Sequence, residues 1–126
     1  MVVAASGIIL KDKKILLIHR SGHTHLFPNT WACPGGRAEA GETPEQAAAR
    51  EVKEEVNLDF TPSWLFKTGR YADRDLFRYL GKWSGEVRIQ EESTEYGWFS
   101  YEEAIKLDLG FDYREVIELL HKEGLI

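Results

Sequence analysis

The chain has 126 residues, a length that predicts one domain spanning residues 1–126. Hydrophobic residues make up 43% of the sequence and charged residues 29%, which is typical of a globular domain with its own core. The formal net charge of −5 argues against a protein that binds nucleic acid or an anionic membrane surface.

The first half of the chain predicts two long strands and a loop before its first helix. Residues 2–10 form a continuous apolar run typical of a buried strand, and residues 14–20 predict a second strand that pairs with the first in a hairpin. The apolar N-terminal run carries no basic segment, so it reads as a strand rather than a secretory signal. A loop over 21–30 leads to a short apolar segment, 31–33, and to the turn Pro34-Gly35-Gly36.

The first helix is predicted from Pro44 to Val56. Thr43 is a favourable N-cap residue, Pro44 occupies the first helical position, and Gln46 completes a T-x-x-Q capping box. Asn57 stands where the chain must leave the helix, and asparagine tolerates the left-handed conformation that such a position needs.

The second half predicts strands over residues 64–71, 76–83 and 96–100 and helices over 101–107 and 113–123. The resulting order is β-β-β-α-β-β-β-α-α, which is not a regular β-α alternation. It indicates an α+β protein or an α/β/α sandwich built around a mixed sheet.

Three glutamates crowd the second half of the predicted first helix. At 100° per residue, Glu54 and Glu55 lie within about 60° of Glu51, so all three share one stripe of the helix surface, while Arg50 and Lys53 point away from it. Like charges at this spacing repel, and in a cleft they raise a carboxyl pKa or require a cation. All-oxygen ligands suit Mg²⁺ or Mn²⁺. A solvated acidic face would give the same pattern, but the upstream Gly35-Gly36 turn, which lets a ligand approach the backbone, favours the metal site.

This stretch resembles the signature of the Nudix hydrolases, G-x5-E-x7-R-E-U-x-E-E-x-G-U, in which U is an aliphatic residue. The matching residues are Gly36, Glu42, Arg50-Glu51-Val52, Glu54-Glu55 and Leu58, and every spacing agrees. The one departure is Asn57, where the family usually has glycine. The resemblance implies a single Nudix domain with a loop–helix–loop catalytic motif, and a MutT-like hydrolase that needs Mg²⁺, with Mn²⁺ as a possible substitute.

The resemblance also implies roles for the motif residues. Glu51, Glu54 and Glu55 match the metal-binding carboxylates, and Gly35 matches the position whose carbonyl binds the same metal. Arg50 matches the residue that orients the carboxylates, and Glu42 the residue that supports the loop. We expect Glu51 to act as general base, with Glu54 as second choice.

Other candidates lie outside the motif. Glu92 is the favoured member of the group Glu91, Glu92 and Glu95 for a further metal ligand, with solvated loop acids as the alternative. Arg20 resembles an arginine that contacts substrate phosphates, although a strand-end surface charge explains it equally well. The expected substrate-binding residues are Arg20, Cys33, Gly35, Gly36 and Asp112.

Two histidines and the single cysteine have simpler interpretations. His23 and His25 have no third ligand nearby in the sequence, so we assign them to the surface. Cys33 could be a nucleophile, as in isomerases of this fold, but a buried pocket-wall residue is the better interpretation. Because one cysteine excludes an intrachain disulfide and no apolar run approaches the ~20 residues of a membrane span, we expect a cytoplasmic protein without a membrane partner.

Short length and the run G-E-T-P-E-Q-A resemble the MutT-type enzymes, which cleave nucleoside triphosphates to the monophosphate and pyrophosphate. We therefore expect a small nucleotide as substrate. The alternatives are a pyrophosphatase acting on nucleotide sugars, ADP-ribose or dinucleotides, and a non-catalytic domain that binds a nucleotide for regulation.

Overall fold

The computed structural model describes residues 1–90 and 93–126. These residues group into two compact units, the first formed by Met1–Ile9 and Pro34–Gln90, the second by Leu10–Cys33 and the residues from 93 onward. Within the described residues, no helix combines the length and apolar character that crossing a membrane would need.

The described chain contains strands and helices in an α+β arrangement. In chain order they are β1 (Val2–Ile8), β2 (Leu10–Lys11), β3 (Lys14–Arg20), β4 (Trp31–Ala32), β5 (Gly35–Arg37), α1 (Pro44–Val56), β6 (Asp59–Tyr71), β7 (Arg74–Ser84), β8 (Ser93–Phe99), α2 (Tyr101–Ala104) and α3 (Tyr113–Lys122).

The first unit is a four-stranded mixed sheet with α1 packed on one face. Its strand order is β5-β1-β7-β6, in which β1 and β7 run parallel and the other neighbours antiparallel. A side chain on Gly7 would place its Cβ 2.7 Å from Val52 Cγ2, so glycine is what lets α1 approach β1 this closely. Val52 and Val56 are fully buried in this interface. The sheet contains both parallel and antiparallel pairs, which confirms the predicted fold class.

The second unit centres on β3, which pairs antiparallel with β2, β4 and β8. Its core contains Ile15, Leu16 and Leu17 from β3, all fully buried. The apolar face of α3 contributes Val116, Ile117 and Leu120 to the buried residues. The alternation of these positions along α3 follows the helical period.

The first helix agrees with the prediction at both ends, but the predicted first hairpin is wrong. The chain leaves β1 at Ile8, and β1 pairs with β5 and β7, while the short β2 is the partner of β3. Asp12 and Lys13 both have positive φ, which matches the tight turn of a two-residue hairpin.

The helix predicted over 101–107 ends at Ala104. Strand β5 was not predicted, because its residues are two glycines and an arginine.

Both helix caps of α1 are formed as expected. The Thr43 side chain accepts a hydrogen bond from the Gln46 backbone N–H at 3.1 Å, and the Gln46 side chain accepts one from the Thr43 N–H at 2.9 Å. Asn57 adopts the left-handed conformation at φ 64° and donates its backbone N–H to the Lys53 carbonyl. Its side-chain amide also donates to the Glu86 carbonyl at 3.3 Å.

The left-handed C-cap at Asn57 predicts a difference between two substitutions. We expect Asn57→Ala to lower the free energy of unfolding by about 1–2 kcal/mol, because an alanine side chain makes the left-handed conformation sterically unfavourable. Asn57→Gly should stay within about 0.5 kcal/mol of the parent, because glycine adopts this conformation freely. Urea unfolding of the three proteins measures this, and equal stability of the two variants would contradict it.

Candidate functional site

The site of the first unit is built where the Gly35-Gly36 strand meets α1. Capping fixes the start of α1, so the carboxylates of Glu51, Glu54 and Glu55 emerge at set positions in its second half. The β5 strand pairs with β1 through Ser6↔Gly35 and Ala5↔Gly36 and so brings both glycines against the helix. The sequence-predicted glycine turn and acidic stripe therefore meet within one unit.

Arg50 links the loop and the helix through a network of charged hydrogen bonds. Its Nε and Nη2 donate to the two carboxylate oxygens of Glu42 at 2.8 and 3.0 Å, a forked geometry that suits a guanidinium. Its Nη1 donates to Glu51 Oε1 at 3.0 Å and to Glu54 Oε2 at 3.1 Å. The helical wheel directed Arg50 away from the stripe; that expectation is wrong, because the long side chain reaches back to it.

The Arg50–Glu42 pair shifts the pKa of both groups. The hydrogen bonds from Arg50, followed by the one from the Glu39 backbone N–H, lower the pKa of Glu42 from 4.5 to about 2. The bond to Glu42 is likewise the main reason why the pKa of Arg50 is raised. Both groups therefore keep their charges under all ordinary conditions, and the loop remains tied to the helix.

Glu51 occupies a more enclosed position than Glu54. Its side chain is 15% exposed, against 56% for Glu54. Burial raises the pKa of Glu51, and the bond and charge of Arg50 oppose this rise. A Cβ on Gly36 would fall 2.6 Å from Glu51 Cδ, so the missing side chain of Gly36 is the space that the carboxylate fills.

Glu55 is tied to the glycine strand from the other side. Its Oε2 accepts the backbone N–H of Gly35 at 3.1 Å. A Cβ on Gly35 would collide with Ser6, so only glycine fits between β1 and this carboxylate. Two predicted metal ligands, the Gly35 carbonyl and the Glu55 carboxylate, are therefore linked, because Glu55 accepts a hydrogen bond from the backbone of Gly35.

These donors fit a hard divalent cation by their chemistry. Carboxylate oxygens and a backbone carbonyl are the groups that Mg²⁺ and Mn²⁺ accept, and the Gly36 gap leaves Glu51 close to the strand. In residues 1–90 and 93–126, no three His, Cys, Asp or Glu side chains form a ready-made metal cluster. Arg50 Nη1 contacts both Glu51 and Glu54 instead, and so holds two carboxylates of like charge together.

The predicted substrate residues of the second unit have different surroundings. Arg20 donates its Nε and Nη2 to the Leu26 carbonyl at 3.2 and 2.9 Å, and its guanidinium lies 5.2 Å from the centre of the Phe111 ring. It therefore closes the 21–30 loop. Cys33 is buried, and Asp112 is buried at the N-cap position of α3.

His23 and His25 are both exposed in the 21–30 loop, in agreement with the surface interpretation. Glu92 lies outside the described residues. Sequence reasoning missed the backbone carbonyl of Arg37, which accepts Arg50 Nη2 at 3.0 Å, since a carbonyl leaves no mark on residue type.

Comparison with known proteins gives consistent similarities. The family model described as NUDIX domain matches residues 1–120. An ADP-ribose pyrophosphatase of Methanocaldococcus jannaschii is 36% identical over 123 residues, which cover 92% of this chain and 70% of that protein. The nucleoside triphosphatase NudI of Escherichia coli is 32% identical over 129 residues, covering 89% of this chain and 91% of NudI.

Solved structures are similar over nearly the whole chain. The crystal structure of a MutT NUDIX hydrolase from Burkholderia pseudomallei aligns with a TM-score of 0.84 at 27% sequence identity. The alignment covers 93% of this chain and 95% of that one.

The Arg50–Glu42 pair predicts an unusual titration. Because the pKa of Glu42 is lowered to about 2, the pair stabilises the fold at pH values above 4.5 and loses that contribution as the pH falls towards 2. NMR titration of the side-chain carboxyl carbon should give this value for Glu42, and Arg50→Gln should return it towards 4.5. A Glu42 pKa that is the same in both proteins would show that Arg50 does not hold the loop.

Proposed function

The chain belongs to the Nudix family and is a Nudix hydrolase, and we propose that it cleaves nucleoside triphosphates to the monophosphate and pyrophosphate with the help of Mg²⁺. The observation that carries this proposal is the Arg50-centred assembly of Glu42, Glu51 and Glu54 beside the Gly35–Glu55 contact. It gathers acidic groups where a polyphosphate needs neutralising cations.

Each residue of the assembly has a distinct part in this proposal. Glu51, Glu54, Glu55 and the Gly35 carbonyl would hold the divalent cation, which when bound neutralises phosphate oxygens and makes a bound water more acidic. Arg50 fixes the orientation of the carboxylates through the hydrogen bonds described above. Glu42 anchors Arg50 to the loop.

Glu51 is the favoured general base. Burial raises the pKa of its carboxyl, which makes the ionised form a stronger proton acceptor. Arg50 binds its Oε1 and so sets the direction of the carboxylate. Glu54 is the second choice, because its side chain is more exposed than that of Glu51.

Nucleoside triphosphates are favoured as substrates by the similarity to NudI, whose name assigns it nucleoside triphosphates. The match covers 91% of NudI, against 70% of the ADP-ribose pyrophosphatase. Hydrolysis of ADP-ribose is the second candidate, since the relative of that name has the higher identity of 36%. Chromatographic identification of the products formed with Mg²⁺ from nucleoside triphosphates, ADP-ribose, nucleotide sugars and dinucleoside polyphosphates distinguishes the two, since a triphosphate gives the monophosphate and pyrophosphate and ADP-ribose gives AMP and ribose 5-phosphate. Turnover of ADP-ribose without turnover of any triphosphate would replace the first proposal by the second.

Loss of one helix carboxylate should remove catalysis without unfolding the protein. We expect Glu54→Gln to lower kcat by about 100-fold or more, because a neutral amide is a poor ligand for a hard cation. Glu115→Gln, which changes an exposed glutamate at the start of α3, is the matched control and should retain parental activity. Near-normal turnover by Glu54→Gln, with an unchanged circular dichroism spectrum, would place the site elsewhere.

Catalysis should also be sensitive to a side chain added at Gly36. Gly36→Ala puts a methyl group 2.6 Å from Glu51 Cδ, so the carboxylate must move away from the strand. We expect kcat to fall by about tenfold or more while the thermal midpoint changes little, since the added methyl group meets the far end of a flexible side chain and not the backbone. Unchanged steady-state kinetics for this variant would mean that the position of Glu51 is not critical.

A further inference from the structure

The stripe of α1 that faces the sheet begins with a charged residue. At about 100° per residue, Glu45, Ala48 and Val56 lie within about 40° of Val52 on the helix surface. Ala48, Val52 and Val56 are fully buried. Glu45 stands on the same stripe, in the first turn of the helix, where an aliphatic residue would continue the apolar contact.

Tyr79 of β7 supplies the partner of the Glu45 carboxylate. Its phenol O–H donates to Glu45 Oε1 at 2.9 Å, and Tyr79 itself is only 5% exposed. Across the sheet Tyr79 is paired with Gly7 of β1, which lies against Val52 of the helix. One row of the sheet therefore holds α1 at two points, Glu45 and Val52, which are about 10 Å apart along the helix axis.

The two attachments constrain the helix in different ways. The burial of Ala48 and Val52 holds α1 against the sheet, but hydrophobic contact between small side chains is non-directional. A hydrogen bond depends steeply on distance and angle, so the bond between Tyr79 and Glu45 opposes sliding of α1 along its axis and rotation about it. The polar contact therefore fixes the register of the helix on the sheet.

The register of α1 decides where its carboxylates lie relative to the glycine strand. A Cβ on Gly36 would fall 2.6 Å from Glu51 Cδ, so the space that holds Glu51 is narrow. The Gly35 N–H meets Glu55 Oε2 at 3.1 Å, a bond that a helix shift of about 1 Å would break. Both contacts require α1 to keep its position along the sheet.

We propose that Tyr79 is a positioning residue for the reaction, because through Glu45 it fixes α1 on the sheet and so places the metal-binding carboxylates against the Gly35 strand; this rests on the proposed function. Its phenol is engaged at the first turn of the helix, about 9 Å along the axis from Glu51. Arg50 orders the carboxylates among themselves, whereas Tyr79 orders the helix that carries them.

A second attachment limits the expected effect of losing Tyr79. Arg50 Nη2 donates to the Arg37 carbonyl of β5 at 3.0 Å and so also connects α1 with the glycine strand. Tyr79→Phe removes one oxygen atom and keeps the ring that fills the core, so the fold should persist. We therefore expect this variant to loosen the arrangement of the site without abolishing it.

Hydrogen exchange of two backbone amides tests the register without metal or substrate. The Gly35 N–H is bonded to Glu55 of the helix, whereas the Ala38 N–H donates to the Val3 carbonyl at 2.8 Å and does not involve the helix. We expect Tyr79→Phe to speed exchange at Gly35 about three- to tenfold and at Ala38 less than about twofold. Global destabilisation would speed both amides alike, so their ratio separates positioning from unfolding.

Mn²⁺ binding and kinetics supply the second readout. Electron paramagnetic resonance of free Mn²⁺ gives Kd for the nucleotide-free protein, and we expect Tyr79→Phe to raise it about three- to tenfold. With saturating Mg²⁺, kcat for a nucleoside triphosphate should fall by a similar factor, while KM stays within about twofold because the phenol does not touch the nucleotide.

Variants of the partner and a matched control complete the test. Glu45→Gln keeps an acceptor oxygen for the phenol and should retain the parental Kd for Mn²⁺ within about twofold, whereas Glu45→Ala should behave like Tyr79→Phe. The double variant Tyr79→Phe/Glu45→Ala should be no worse than either single variant, since both remove the same bond. Tyr101→Phe removes another tyrosine–glutamate bond, the one to Glu118 at 3.0 Å, and should leave every readout at its parental value.

The inference and the proposed function fail in different ways. Parental exchange at Gly35 together with a parental Kd for Mn²⁺ in Tyr79→Phe would overturn the inference, as would equal effects of Tyr101→Phe. A parent enzyme that hydrolyses no triphosphate disproves the proposed function, whereas the exchange ratio of Gly35 to Ala38 still tests the role of Tyr79.

Discussion

The structure of the site depends on one guanidinium that holds several carboxylates together. Glu51 and Glu54 repel each other on the helix surface, yet Arg50 Nη1 contacts both, while Nε and Nη2 grip Glu42 in the preceding loop. Arg50 itself stays charged, since its pKa is raised by these partners. Arg50 thereby keeps the carboxylates of Glu42, Glu51 and Glu54 in place.

The rest of the first unit serves to keep this arrangement at the strand. The Thr43 cap and the left-handed Asn57 fix where α1 begins and ends. Gly7 allows Val52 to pack closely against β1, and Gly36 leaves room for the Glu51 carboxylate. Both glycines are needed because they have no side chain. A methyl group at Gly7 would push the helix away from the sheet, and one at Gly36 would push the Glu51 carboxylate away.

Local patterns in the sequence predicted the first helix better than they predicted the strand pairing. The capping box, the proline at the first helical position and the glutamate spacing are all encoded within 25 residues, so α1 and its acidic stripe were foreseen. The partner of β1 was not predicted, because the pairing of Val2–Ile8 with Arg74–Ser84 joins segments that are distant in the sequence. The reach of Arg50 was missed by the helical wheel for a similar reason: a wheel gives the direction of Cβ and ignores four further bonds.

Direct observation of a metal ion among the Arg50-held carboxylates tests the central claim most sharply. Mn²⁺ broadens NMR signals of nuclei close to it, and a substoichiometric titration reports the first site to fill. We expect the amide signals of Gly35, Gly36 and residues 51–55 to disappear first, and Mg²⁺ to restore them by competition. Broadening that starts elsewhere, or that is uniform along the chain, would contradict the assignment of this site.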